Sequence, residues 1–213
     1  MFTGLIEAVC QVRSVRRTAD TMQIAVDLTT LAQDTKIGDS IAINGTCLTV
    51  ISLEGTVANF DVSSETLRKS NVGKLASLAK VNVERALKPA DRFGGHFVQG
   101  HIDGTAKINN IKKQGDFAQF EFYADNQLLD QMILKGSVAV NGISLTISKL
   151  DQASFGVELI PQTLSNTTLG NAKVADVVNI EIDMISKTVK KQIEKILPQN
   201  QKLTVEKLRE LGF

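Results

Sequence analysis

The ten residues Ile41 to Val50, IAINGTCLTV, return 97 positions later as Val138 to Ile147, VAVNGISLTI, with Ala, Asn-Gly, Leu and Thr in the same places. Each copy alternates apolar and polar positions, breaks at Asn-Gly and resumes with β-branched residues. That pattern predicts strand, tight turn, strand, hence a β-hairpin present twice.

Other segments keep the register, which separates an internal duplication from two coincidental hairpins. Glu65-Thr66-Leu67 answers Gln162-Thr163-Leu164, Gly73 answers Gly170, and Val81-Asn82-Val83-Glu84 answers Val178-Asn179-Ile180-Glu181. Near the start of each copy the offset is 96, pairing Gly4 with Gly100, Ile6 with Ile102 and Glu7 with Asp103, so one inserted residue separates the two registers. A chain of 213 residues with this repeat makes two similar domains, 1–90 and 91–185, and a tail, 186–213.

The formal charge of +1, with Lys and Arg scattered, lacks the basic stripe of a nucleic-acid binder. Cys10 and Cys47 form no CxxC pair, and Glu7 and Gln11 interrupt any leader-like apolar run, so a reducing cytoplasmic setting is expected. A membrane span is not expected either, because no run of about eighteen apolar residues occurs.

Read in order, the first copy gives a strand through Val15, a turn at Arg16 to Asp20, a strand Met22 to Leu28, the hairpin, a strand Val57 to Val62, a helical or irregular turn to Asn71, and a strand Val81 to Arg85. Pro and adjacent Gly in Lys88 to Gly95 mark the linker, and the plan repeats from His96: strands Thr105 to Lys112, Ala118 to Tyr123, hairpin, Phe155 to Ile160 and Val177 to Ile182. Short strands at regular spacing predict a mainly β fold of two tandem, internally duplicated Greek-key β-barrels with a C-terminal helical segment. In that segment Ile185, Val189, Ile193, Ile196 and Leu197 share one helical face, to be buried by self-association or against the chain's own barrel. Leu203, Thr204 and Leu208, with Gly212 as a stop, predict a second short helix.

Neither a P-loop nor GxGxxG occurs, so no triphosphate or Rossmann-held dinucleotide is indicated. His96, His101 and Cys47 are candidate metal ligands, yet their spacing matches no zinc pattern, and none is expected. A polar lining is the better signal: Asn44, Thr46, Thr49, Ser63, Ser64 and Thr66, and the counterparts Asn141, Ser144, Thr146, Gln162 and Thr163, gather at strand ends and turns. Such groups hydrogen-bond a polyol or a heterocycle edge, although Asn44-Gly45 and Asn141-Gly142 are better read as turn residues. Where the copies differ, Cys47 corresponds to Ser144, Leu5 to His101, Glu65 to Gln162 and Arg68 to Ser165. Two pockets of one shape with different reactive groups would hold two similar molecules in unlike roles.

Met1-Phe2-Thr3-Gly4-Leu5-Ile6-Glu7, Asn44-Gly45-Thr46-Cys47-Leu48-Thr49-Val50, Gly94-Gly95-His96-Phe97-Val98-Gln99-Gly100-His101-Ile102-Asp103-Gly104, Asn141-Gly142-Ile143-Ser144-Leu145-Thr146 and Ile160-Pro161-Gln162-Thr163-Leu164 together resemble riboflavin synthase of the alpha-chain type, over residues 1 to 186. The resemblance implies a dismutation in which one 6,7-dimethyl-8-ribityllumazine gives a four-carbon unit to another, yielding riboflavin and 5-amino-6-ribitylamino-pyrimidinedione, with no cofactor and no metal. It further implies a homotrimer held by the C-terminal helix, an active site between the N-terminal barrel of one chain and the C-terminal barrel of another, and association with lumazine synthase.

Carried over by position, the first pocket would use Gly4, Leu5, Ile6, Cys47, Leu48, Thr49, Asp61, Val62, Ser63, Ser64, Glu65 and Thr66. The second would use Gly100, His101, Ile102, Lys135, Ser144, Leu145, Thr146, Ile160, Pro161, Gln162, Thr163, Leu164 and Ser165, with Phe2 and Thr3 near a pocket or, for Phe2, in the core. His101 and Ser144 would handle the proton and the acceptor side, Thr146 would fix the ring, Lys135 would bind a ring oxygen, and Cys47 would be a nucleophile or a packing group. Asn141 and Gln162 stand where some members of the family carry acids, so neither is given an acid or base role. A rival reading is a non-catalytic lumazine-binding antenna protein of the same fold. A third, an oligosaccharide- or oligonucleotide-binding barrel pair, conflicts with one tyrosine, no tryptophan and the near-neutral charge.

Overall fold

Alternating side chains along each strand put one row inside a barrel and the other outside, and closing the sheet removes its edges. In the computed structural model, which describes residues 1–196 and Arg209, the first copy does this with β1 (Ala8–Arg17), β2 (Met22–Asp27), β3 (Ser40–Ile43), β4 (Thr46–Glu54), β5 (Val57–Val62) and β6 (Lys80–Arg85). The second uses β7 (Gly104–Gln114), β8 (Phe117–Tyr123), β9 (Ser137–Val140), β10 (Ile143–Leu150), β11 (Ser154–Leu159) and β12 (Val177–Ile182). Both are closed and antiparallel, with strand order β1-β2-β5-β4-β3-β6 and its counterpart β7-β8-β11-β10-β9-β12.

Register slips recur at equivalent places, Val12/Ser14 and Ile108/Asn110 in the first strands, Val50/Ser52 and Ile147/Lys149 in the fourth. Ile24 pairs with Phe60 as Phe120 pairs with Val157, so the inserted residue lies between the second and third strands. The long crossover before each last strand carries a short helix, α1 (Ser64–Lys69) in the first copy and α3 (Pro161–Asn166) in the second. Two turns of 3-10 helix at Thr29–Asp34 and a short helix α2 (Asn126–Leu129) occupy segments without a readable period. Each barrel has its own apolar filling, around Phe60, Ile24 and Ile41 in one and the stacked Phe122 and Phe155 in the other.

A pseudo-twofold seam joins the barrels. Asn44 and Gly45 (φ 48° and 79°) and Asn141 and Gly142 (φ 46° and 80°) have the two successive positive φ values of a type I′ turn. The two tips abut so closely that a Cβ on Gly45 would stand 2.6 Å from the Gly142 nitrogen. Around them, buried Asn82 Nδ2 donates to the Asn141 carbonyl (3.0 Å), and its counterpart Asn179 Nδ2 donates to the Asn44 carbonyl (2.8 Å). Phe2 and Val98, themselves counterparts, exchange backbone hydrogen bonds and pack with Ala42 and Ala139. The Asn-Gly pairs therefore serve the fold, as expected, and Phe2 belongs to the core of the seam.

Helix α4 (Met184–Ile196) begins two residues before the expected Ser186. Lys187 ties it to Asp103 through Nζ–carboxylate distances of 3.0 and 2.9 Å. Its apolar row points outward, with Ile185, Val189, Ile193 and Ile196 each at least half exposed, so α4 does not bury that row on its own barrel. Leu197 and the second helix expected around Leu203, Thr204, Leu208 and Gly212 lie outside the described residues. No described helix is long and apolar enough to cross a membrane.

Candidate active site: twin pockets beside the seam

Just past each Asn-Gly turn, the fourth strand begins against a segment lent by the other copy. Cys47 N–H donates to the Gly100 carbonyl (2.9 Å), and Ser144 N–H donates to the Gly4 carbonyl (2.8 Å). Two buried carboxylates hold these segments. Glu84 accepts from the N–H groups of Thr3 and Gly4 (2.6 and 3.0 Å) and from the Thr3 hydroxyl (2.8 Å), while Glu181 accepts from those of Gln99 and Gly100 (2.7 and 2.9 Å). Burial raises the pKa of both, Glu181 to about 7, against the lowering effect of the N–H donors and, at Glu181, of Lys187. In the sequence the pair reads only as a repeated strand end. It is buried because each last strand is covered on both sides, by barrel interior and by the neighbouring copy.

The exchange of segments regroups the expected residues. A cavity of about 240 Å³ is lined by Thr46, Cys47, Glu65, Thr66, Lys69, Ser70, Gly100, His101 and Ile102. Gly100 to Ile102 thus belong with Cys47 in the first pocket, and Gly4 lies against Ser144 in the second, the reverse of the grouping expected from position along the chain. The reason is physical: the repeat register pairs residues between copies, whereas each segment, anchored by a carboxylate on the last strand of its own copy, reaches with its glycine carbonyl the fourth strand of the other barrel. His101 and Ser144 of one chain accordingly sit in different pockets.

The helices beside the pockets start differently. Ser63 Oγ accepts from the Thr66 N–H (3.3 Å) to cap α1, whereas α3 has Ile160 at that place and opens with Pro161, which has no N–H that would need an acceptor there. Of the residues expected for the second pocket, Ile160, Pro161, Gln162 and Ser165 are exposed and Thr163 and Leu164 half-buried; of those expected for the first, Asp61, Ser63 and Glu65 are exposed and Ser64 half-buried. Thr49 and Thr146 face outward from the fourth strands, Leu5 is exposed and Ile6 packs on the second barrel. Lys135 is exposed with φ 67°, where its counterpart is Gly38 with φ 92°. A lysine in that region carries a backbone cost of about 1–3 kcal/mol that glycine avoids. Leu48, Val62 and Leu145 point into the barrel cores and Phe2 into the seam, so they shape the pockets from behind.

One further residue touches Ser144. His96 is buried, and its Nδ1 lies 2.7 Å from Ser144 Oγ. In the sequence it stands in the stretch that carries the family resemblance and as a candidate metal ligand with His101 and Cys47, not as a pocket residue, and among the described residues no three His, Cys, Asp or Glu side chains form a ligand group. A larger seam cleft, about 520 Å³, is lined in part by amides and hydroxyls such as Asn71 and Thr168, and of the candidate lining residues holds Asn44, Asn141 and Ser165.

The family model for the lumazine binding domain matches this chain twice, over residues 3–86 and 99–183. Riboflavin synthase of Actinobacillus pleuropneumoniae is 38% identical with all of both chains aligned. The chain belongs to the riboflavin synthase family. Riboflavin synthase of Bacillus subtilis (strain 168) is 37% identical over the whole of both chains, and that of Escherichia coli (strain K12) is 39% identical over 92% of this chain and 93% of its own. Among solved structures, LumP complexed with 6,7-dimethyl-8-(1'-D-ribityl) lumazine superposes with a TM-score of 0.78 at 21% identity, over 85% of this chain and 98% of that one. LumP complexed with riboflavin gives 0.79 at 23%. At such identities these share with the family the double-barrel fold.

Proposed function

We propose that this chain is a riboflavin synthase, converting two molecules of 6,7-dimethyl-8-ribityllumazine into riboflavin and 5-amino-6-ribitylamino-pyrimidinedione. The observation that carries the reading is the twin pocket: one backbone frame, built twice, with Cys47 and Ser144 at the same place in the two copies. Two copies of one substrate meet such a frame in the same orientation, while the unlike side chains let one molecule donate four carbons and the other accept them. Holding both in place supplies much of the acceleration by proximity and orientation.

In this reading the 7-methyl group of one lumazine loses a proton while ring carbon 7 of the other accepts a nucleophile. Ser144 and Thr146 serve the second pocket, His101 and Cys47 the first, and Lys135 a ring oxygen. The outward apolar row of α4 supports a homotrimer, in which the first pocket of one chain faces the second pocket of its neighbour. His101 of one protomer and Ser144 of the next then flank the same pair of substrates. We place the enzyme in the cytoplasm, consistent with two unpaired cysteines, Cys10 and Cys47. Incubating the purified protein with the lumazine and following riboflavin absorbance tests the activity: riboflavin formation is expected, and binding without product would assign the chain to the antenna class.

A further inference from the structure

The segment that brings His101 to the first pocket, Gln99 to Asp103, is held at both ends. Glu181 accepts the N–H groups of Gln99 and Gly100 at one end; at the other, Asp103 donates its own N–H to the Ile180 carbonyl (3.0 Å) and accepts the Ile182 N–H at Oδ2 (2.8 Å). The corresponding segment of the first copy, Thr3 to Glu7, is tied in the same way. Glu84 accepts the N–H groups of Thr3 and Gly4, Glu7 donates its N–H to the Val83 carbonyl (3.0 Å), and its Oε1 accepts the Arg85 N–H (2.7 Å). The backbone frame is shared, but the charge partner of its last acid is not.

Glu7 finds its cation within its own barrel, because the Arg85 side chain returns to it from the last strand with Nη2 at 2.6 Å. In the second copy Ile182 stands at that place, its side chain buried and without charge. Asp103 takes its cation from outside the barrel instead: Lys187, in the first turn of α4, places Nζ 3.0 and 2.9 Å from the two carboxylate oxygens. With side-chain exposures of 26% and 24%, this pair is partly shielded from the solvent that screens surface pairs. Burial raises the pKa of Glu181, the Gln99 and Gly100 N–H groups and Lys187 lower it, and Asp103 raises it, so the three charges form one cluster behind the segment.

We infer that Lys187 is a positioning residue for the first pocket, through which α4 holds the segment that carries His101. Without its charge the half-buried Asp103 carboxylate keeps only the Ile182 N–H as a partner among the described residues, and the loss falls on the segment rather than on the barrel core. The first copy performs the same task without a helix. Moving the cation to α4 makes the order of one pocket follow the seating of a helix whose apolar row faces outward. A helix of 13 residues is marginal alone, so whatever covers that row also steadies Lys187.

The positioning role concerns a single chain, while its effect on a lumazine rests on the proposed function. Amide hydrogen exchange of the ligand-free protein tests the first, with the other copy as internal control. Lys187→Met is expected to speed exchange at Gln99 and Gly100 by about fivefold, the upper scale of a part-exposed ion pair, and to leave Thr3 and Gly4 unchanged. Arg85→Met is expected to do the reverse. Asp103→Asn, which keeps an acceptor for the Ile182 N–H, should match Lys187→Met, and the double variant should be no looser than either single one. Unchanged exchange at Gln99 and Gly100 in K187M, equal loosening of both segments, or additive losses in the double variant would each overturn the assignment. The second part uses the Ser144→Ala background, which spares the ligand, and follows a titration with 6,7-dimethyl-8-ribityllumazine at the imidazole signals of the two histidines. Adding K187M should raise the half-saturation point at His101 about fivefold and leave that at His96 unmoved. A loosened segment with no response of His101 to lumazine would sink the proposed first pocket and leave the positioning role standing. A His101 response insensitive to K187M would sink the positioning role and leave the proposed reaction intact.

Discussion

The first and second pockets share a frame and differ in a few side chains. In both, a glutamate on the last strand clamps two N–H groups of a segment lent across the seam, and that segment's glycine carbonyl meets the start of the fourth strand. Yet the first presents Cys47 with an exposed His101, and the second presents Ser144 with a buried His96 and Leu5 in the place of His101. Under the proposed function, what is common holds a ligand and what differs divides the work between two ligands, so that duplication followed by a handful of substitutions is enough to do it.

The sharpest way to break this comparison is to remove the two equivalent groups separately. Ser144→Ala should lower turnover by about 100- to 10,000-fold, the range for a lost acid–base group, and Cys47→Ala by less than about tenfold, read from steady-state riboflavin formation. Equal losses would make the pockets equivalent. Next in size, Ile185→Glu with Ile193→Glu should convert the proposed trimers to monomers by sedimentation and cost at least about tenfold in turnover through loss of the proposed cross-chain geometry. Because both side chains are exposed in the single chain, thermal stability of the barrels should barely change.

Two stability measurements sharpen the symmetric part. Gly45→Ala and Gly142→Ala should each destabilise by about 2–5 kcal/mol in chemical denaturation, from positive φ and the crowded seam together. A large difference between them would mean that the turns are not equivalent. Glu181 adds a pH test: its folded pKa of about 7 lies above the ordinary 4.5, so the folded state binds the proton more tightly. That contribution is full below about 4.5 and is lost as pH rises through about 7, on the order of 3 kcal/mol. Glu181→Gln should flatten the slope in that window, and a slope that persists would place it on another group.

Much of the frame was legible because it rests on local chemistry. Asn44-Gly45 and Asn141-Gly142 declare type I′ hairpins, and the shared register of the copies declares two like barrels. The row Ile185, Val189, Ile193 declares an amphipathic helix by its period alone. What stayed hidden depends on contacts across the seam. Nothing in the pattern around Gly4 or Gly100 says that these segments lie on the opposite copy, since the anchoring Glu84 and Glu181 look like ordinary strand-end polar residues. His96 escaped because it follows a Pro- and Gly-bearing linker with no period, and its partner Ser144 is 48 residues away. A sequence pattern records a residue's neighbours along an element, and the chemistry of the second pocket is assembled from three separate segments.

Equilibrium titration of 6,7-dimethyl-8-ribityllumazine onto the Ser144→Ala chain, whose slow turnover preserves the ligand, tests the division of labour most directly. Two molecules bound per chain, with turnover slowed but both sites filled, is the expected result. One molecule per chain would contradict the idea that each barrel carries a working pocket of its own.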